Sequence, residues 1–174
     1  MKRCIKLFPF LILLLVMTGC NETTNYEADG PFIVVTSSPA GEDDFRNLFS
    51  RNYAIYENGK LIVYTEPESK LKVGDDAPVY ESQLKEEEVD QLKQLIEKNK
   101  FWKFHEDLSD NDTQDGSFLY VTIHLTDQSK TVGGLNPNNP KFIEIADYVF
   151  DLISDDDDEL WEEEITDHIF KMNP

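Results

Sequence analysis

Apolar and polar positions along this chain repeat with two periods, and the switches between them mark out its elements. Phe32 to Thr36 is short and rich in β-branched residues, which predicts a strand, and Ser37 to Asp44, with Pro39 and Gly41, predicts a loop. Tyr53 to Glu57 and Lys60 to Tyr64 alternate around Asn58-Gly59, the strongest short hairpin signal in a sequence. A two-residue turn there pairs Glu57 with Lys60, Ile55 with Ile62 and Tyr53 with Tyr64. Leu71 to Val73 and Pro78 to Glu81 read as short edge strands. From Glu86 to Asn99 the period changes: Val89, Leu92, Leu95 and Ile96 recur at helical spacing behind three glutamates suited to a helix N-terminus.

Phe101, Trp102 and Phe104 follow, as aromatics expected to pack under the sheet. Phe118 to Thr126 alternates again, with Leu119, Val121, Ile123 and Leu125 on one face and Phe118, Tyr120, Thr122 and His124 on the other. Ser129 to Val132 is its expected antiparallel partner through Asp127-Gln128. Gly133 to Pro140 reads as a turn-rich loop, with Asn139 as N-cap and Pro140 as first residue of a helix reaching about Ser154. After the acidic run Asp155 to Glu159, read as a linker, Trp161, Ile165, Ile169 and Met172 mark a terminal amphipathic helix, docked or offered to a partner. The expected fold is α+β, an antiparallel sheet of hairpins in the order hairpin, helix, hairpin, helix, closed by a C-terminal helix.

The first twenty residues follow a different logic. Lys2, Arg3 and Lys6 precede an apolar run from Leu7 to Met17 that is too short to span a bilayer, which takes roughly 20 apolar residues. It fits the apolar region of a secretory signal. Thr18-Gly19-Cys20 then resembles the lipobox of bacterial lipoproteins, in which the peptidase cuts before a cysteine bearing diacylglycerol. The resemblance implies a leader at 1–19, a lipidated Cys20 with a tether at 20–31, a domain at 32–154 and an acidic linker with its helix at 155–174. Two acyl chains hold a protein stably on a membrane where one is marginal. Ten flexible residues from Asn21 to Gly30 would give a reach of roughly 17 Å.

Charge narrows the partners. The chain carries −19, and −22 once the leader takes its three cations away. Such a surface repels nucleic acid and other polyanions, so partners are expected to be the membrane, through the anchor, and a protein or cell-envelope component. Cys4 leaves with the leader and Cys20 is acylated, so neither a disulfide nor cysteine-based metal chemistry is expected.

Candidate chemistry is sparse. Asp107, Asp110, Asp112 and Asp115 fall within a short connection. Counted from Asn111, part of an EF-hand loop is mimicked, but its terminal ligands are replaced by Asn111 and Thr122. What remains is a weak Ca²⁺ site from Asp110, Asp112 and Asp115, the one cofactor expected besides the lipid. His105, His124 and His168 lack metal-ligand spacing, and neither a nucleophile motif nor a phosphate loop is present. Phe118 and Tyr120 on the second sheet face, with Gly133, Gly134 and Asn136 in the adjoining loop, are the candidate binding residues, because loops held on rigid elements are where binding tends to sit.

The run of Asn58-Gly59 hairpin, acidic-start helix, Phe101-Trp102, Asp115-Gly116, Tyr120-Val121-Thr122-Ile123 and Val132-Gly133-Gly134-Leu135-Asn136-Pro137 resembles a group of uncharacterised bacterial lipoproteins of Gram-positive, Bacillus-type lineages. More distantly, residues 32–154 are similar to a widespread α+β domain of unknown function, whose members often carry paired cysteines that this chain lacks. The resemblance implies a fold and a location and brings no catalytic residues. The expected function is that of a non-catalytic extracytoplasmic binding module on a lipid anchor. The alternatives are a divalent-cation-binding lipoprotein and a carboxylate- or metal-dependent hydrolase, the latter needing a pocket of convergent acids.

Overall fold

The computed structural model describes residues 24–41, 49–65, 77–110 and 115–172. The expected leader, Cys20, the expected strand at Leu71 to Val73 and Asp112 lie outside the described residues. Six antiparallel strands form one sheet: β1 (Pro31–Pro39), β2 (Arg51–Tyr56), β3 (Lys60–Tyr64), β4 (Tyr80–Gln83), β5 (Ser117–His124) and β6 (Ser129–Leu135). Their order across the sheet is β4-β3-β2-β1-β5-β6. Among the described residues three α-helices complete the α+β fold: α1 (Glu86–Lys98), α2 (Pro140–Phe150) and α3 (Asp155–Met172).

β1 lies between β2 and β5, with Ile33 opposite both Ile55 and Ile123, and Val35 opposite both Tyr53 and Val121. Strand alternation puts these side chains on one face with Leu61 and Val63, and all are buried. Val89, Leu92 and Ile96 of α1 and Phe142, Ile145, Ala146 and Val149 of α2 join them in one core. Phe101 is fully buried and meets Trp102 and Phe104 edge-on, as expected of that aromatic run. Asn139 caps α2, its Oδ1 accepting from the amides of Lys141 and Phe142.

Several elements differ from expectation, each for a local reason. The first hairpin turns through three residues, Glu57, Asn58 and Gly59, and its register is Ile55–Leu61 and Tyr53–Val63. Only Gly59 takes a positive φ, of 84°, and its amide donates to Tyr56 O at 2.9 Å. This is the arrangement of a turn followed by a glycine bulge. The extra residue turns Leu61 and Val63, rather than Ile62 and Tyr64, toward the core. Glu57 and Lys60 therefore do not pair at the tip: Glu57 meets Lys93 at 2.6 Å and Lys60 meets Glu81 at 3.0 Å.

β1 runs on to Pro39, through residues expected in a loop, because Ser38 and Pro39 pair with Phe118 and Ser117. β6 likewise continues through Gly133 and Gly134. The acidic run at Asp155 is the first turn of α3, where carboxylates complement the helix dipole, and the Ser154 hydroxyl accepts the Asp157 amide at 3.2 Å. Trp161, Ile165 and Ile169 are buried in the core cluster, so α3 is docked.

Residues expected to be a free tether are docked too. Tyr26 is buried and bridges Leu125, extending β5, while its ring meets Phe32 edge-on at 5.2 Å.

Truncating Phe142 to Ala is expected to cost about 3–5 kcal/mol, while Leu160→Ala, at a side chain 60% exposed, should stay within about 0.5 kcal/mol. Urea unfolding of both variants checks the contrast.

Candidate functional site

At one end of the sheet the chain leaves a groove of about 680 Å³. Five separate segments wall it: the end of β1 at Ser37 to Pro39, Phe49 with Arg51 and Tyr53 of β2, Gly116-Ser117 opening β5, Phe150 at the end of α2 with Asp151 and Ile153 beyond it, and Asp155 and Asp158 of α3. Aromatic and aliphatic side chains form its walls, with hydroxyls, carboxylates and one guanidinium between them. That mixture is the usual make-up of a ligand pocket.

Strand alternation explains why Arg51 is here. It shares the inward face with Tyr53 and Ile55, but at the end of β2, beyond the apolar core, so its guanidinium is received by α3. It lies over the Trp161 ring at 5.6 Å, hydrogen-bonds Glu162 and stands 3.7 Å from Asp158. The Trp161 indole in turn donates to Pro78 O at 3.2 Å, tying α3 to the approach to β4. Tyr53 packs edge-on against Phe150 at 5.0 Å, and burial pushes its hydroxyl up, against the opposing pull of Arg51. Burial also pushes the Asp158 carboxyl up; Arg51 draws it down, and Glu162 and Asp155 add to the rise.

The residues singled out from sequence lie elsewhere. Gly133 and Gly134 sit in β6, where the segment from Glu106 to Asp110 is laid alongside as a parallel strap. Leu108 N–H donates to Gly133 O and Asp110 N–H to Leu135 O, both at 2.8 Å, and Gly133 N–H to Glu106 O at 2.9 Å. A Cβ on Gly134 would come within 2.2 Å of Ser109 Oγ, and one on Gly133 within 2.1 Å of Leu119 O. Glycine is needed at both positions so that the backbones can close. Tyr120 stands opposite Gly133 and stacks on Phe118, the rings 6.2 Å apart and 6° from parallel; both side chains are half-buried. On that same outer face Asn52 and Ala54 are only 2% exposed, while Val34, Ile62 and Thr122 around them are half-buried.

Asn136, at φ 46°, accepts from Ser117 N–H at 3.0 Å and donates to Asp115 O at 2.7 Å. It closes the open end of the β5–β6 pair. The structure thus brings Phe118, Tyr120, Gly133 and Gly134 together, Tyr120 and the two glycines lining a shallow cavity of about 380 Å³ with Asp107 and Ser109, and Asn136 lies at the end of the same strand pair. Asp110 joins the strap through its backbone, Asp115 is exposed and Asp112 lies outside the described residues. Among the described residues no three His, Cys, Asp or Glu side chains converge as a metal site. No described helix is long and apolar enough to cross a membrane.

Sequence reasoning missed Ser37, Ser38, Arg51, Phe150, Asp151 and Asp158 as a group, since they meet only in the folded chain. One signal was available: Arg51 stands in step with Tyr53 and Ile55, a cation on a core-facing row. No protein-family model and no curated protein matches this chain.

Because the folded state holds the Asp158 proton to higher pH than the unfolded chain does, this group's contribution to stability falls as pH rises above the ordinary aspartate range. Relative to the parent, Asp158→Asn should therefore gain stability between pH 4 and pH 6, read as the difference in Tm at the two values. A difference that shrinks with rising pH would contradict the assignment.

Proposed function

We propose that this protein is a lipid-anchored extracytoplasmic binding module, held by diacylglycerol on Cys20, that takes a ligand in the groove at the sheet's end. The anchor half of the reading is supported by the basic start, the Leu7 to Met17 run and Thr18-Gly19-Cys20. The observation that carries the binding half is the groove itself, with its aromatic walls, Ser37 and Ser117 along the sheet's end and the Arg51 guanidinium at its edge. The ligand class it suits is a small polar molecule with an apolar face, or the end of a peptide or glycan from the cell envelope. The resemblance to Gram-positive lipoproteins of unassigned activity agrees with this location.

A carboxylate-using hydrolase is the second reading, favoured by one observation: Asp151, Asp155 and Asp158 share the groove, where burial pushes the Asp158 carboxyl up. Against it, Asp158 faces Arg51, the arrangement of an ion pair that fixes a helix. A Ca²⁺-binding role would rest on Asp110, Asp112 and Asp115, the second of which lies outside the described residues.

The test pairs two measurements. Cys20→Ala should move the protein from the membrane to the soluble fraction. A fragment screen with amino acids, short peptides and small saccharides, read by amide NMR shifts, should perturb Ser37, Ser38 and Ser117 first, and Ser117→Trp should abolish those shifts while the fold's other resonances stay in place. Perturbations clustering instead at Phe118 and Tyr120, or at Asp110 and Asp115 on adding Ca²⁺, would overturn the groove as the site.

A further inference from the structure

We infer that the domain stands on the bilayer by one fixed end, the end bearing the β5–β6 turn at Asp127-Gln128, so that the groove opens away from the lipid. The inference rests on the reading of Cys20 as the lipid-bearing residue. The chain just beyond Cys20 is docked on the domain. Thr126 N–H donates to Asn25 O at 3.0 Å, Glu27 N–H donates to His124 O at 3.1 Å, and the Thr24 hydroxyl donates to Glu97 at 2.7 Å. The Lys93 ammonium lies over the Tyr26 ring at 5.2 Å, and over Phe32 at 5.3 Å. These contacts hold the chain to the start of β1, the far end of β5 and the last turn of α1.

Four Cα steps separate Cys20 from Thr24, and a chain covers at most about 14 Å in that distance however it runs. The lipid attachment must therefore lie close to this end. The groove is at the other: Ser117 opens β5 and His124 closes it, and at about 3.4 Å per residue the strand carries the two ends roughly 24 Å apart. A free tether of ten residues would allow any orientation; a docked one does not.

Charge points the same way. The anchored end mixes signs, with exposed Lys100 and Lys103 among Glu97 and Asp127, whereas the groove end carries Asp151 and the acid-rich start of α3. An anionic lipid surface repels the second more than the first. The partner of the anchored end is the bilayer; the groove is left to meet ligands from the cell envelope.

Single cysteines at exposed positions read the orientation directly. Gln128→Cys and Ser117→Cys variants of the lipidated protein are labelled with a thiol-reactive fluorophore and reconstituted into phosphatidylcholine–phosphatidylglycerol vesicles containing a headgroup-nitroxide lipid. The label at 128 should be quenched several-fold more than the label at 117. Adding Tyr26→Ala to both should bring the two toward equal quenching while the protein still floats with the vesicles. Equal quenching in the parent background, or stronger quenching at 117, overturns the orientation alone. A protein that takes up a second fluorophore at Cys20 and does not float overturns the anchor, and the orientation with it.

Discussion

The constraint on which this molecule depends is that β1 is paired on both sides. Its hydrogen-bonding groups are shared between β2 and β5, and Ile33 and Val35 are each flanked by buried partners from both neighbours. A one-residue slip of such a strand would turn its whole apolar row to the wrong face, so its register is held from two directions. Because all neighbours are antiparallel, the sheet has two ends of different character, and β1 connects them. Its start receives Tyr26 and the chain leading back toward Cys20; its finish at Ser37 to Pro39 forms a wall of the groove.

The same logic explains how α3 belongs to the fold. An isolated helix with so many acids would have little reason to pack, yet Trp161, Ile165 and Ile169 recur every four residues and are buried. Arg51 gives the acidic side a counter-charge where the sheet ends, stacking on Trp161 while meeting Glu162 and Asp158. Exposed ion pairs contribute little; this one is half-buried and backed by a ring, and it closes one wall of the groove. Structure and candidate site are here made of the same contacts.

The fold was legible wherever local chemistry and long-range packing agreed. The α1 stripe at Val89, Leu92 and Ile96, the Asn139 cap and the alternating row of β5 each declared an element whose place in the sheet then followed. Legibility failed where one composition serves two ends. Gly133-Gly134 reads as a turn, but the same absence of a Cβ is what a strap lying against a strand requires. Asn58-Gly59 marks the hairpin correctly, but nothing local distinguishes a two-residue turn from a three-residue one, and that choice decides which face of β3 is buried. Asp155 to Asp158 has the look of a solvated linker until Trp161 is seen to dock. The groove was not legible at all as a unit, because its walls come from segments that are more than a hundred residues apart in sequence and meet only at the end of the sheet.

On the proposed reading, a lipidated Cys20 and the contacts of Thr24 to Glu27 make this a body fastened at one end of its sheet and open at the other. The measurement bearing most directly on that description is the intact mass of the protein extracted from membranes. The expected mass is that of a chain beginning at Cys20 with the added mass of a diacylglyceryl group and residues 1–19 gone. A mass equal to the full 174-residue chain, or to a shortened chain without lipid, would contradict it.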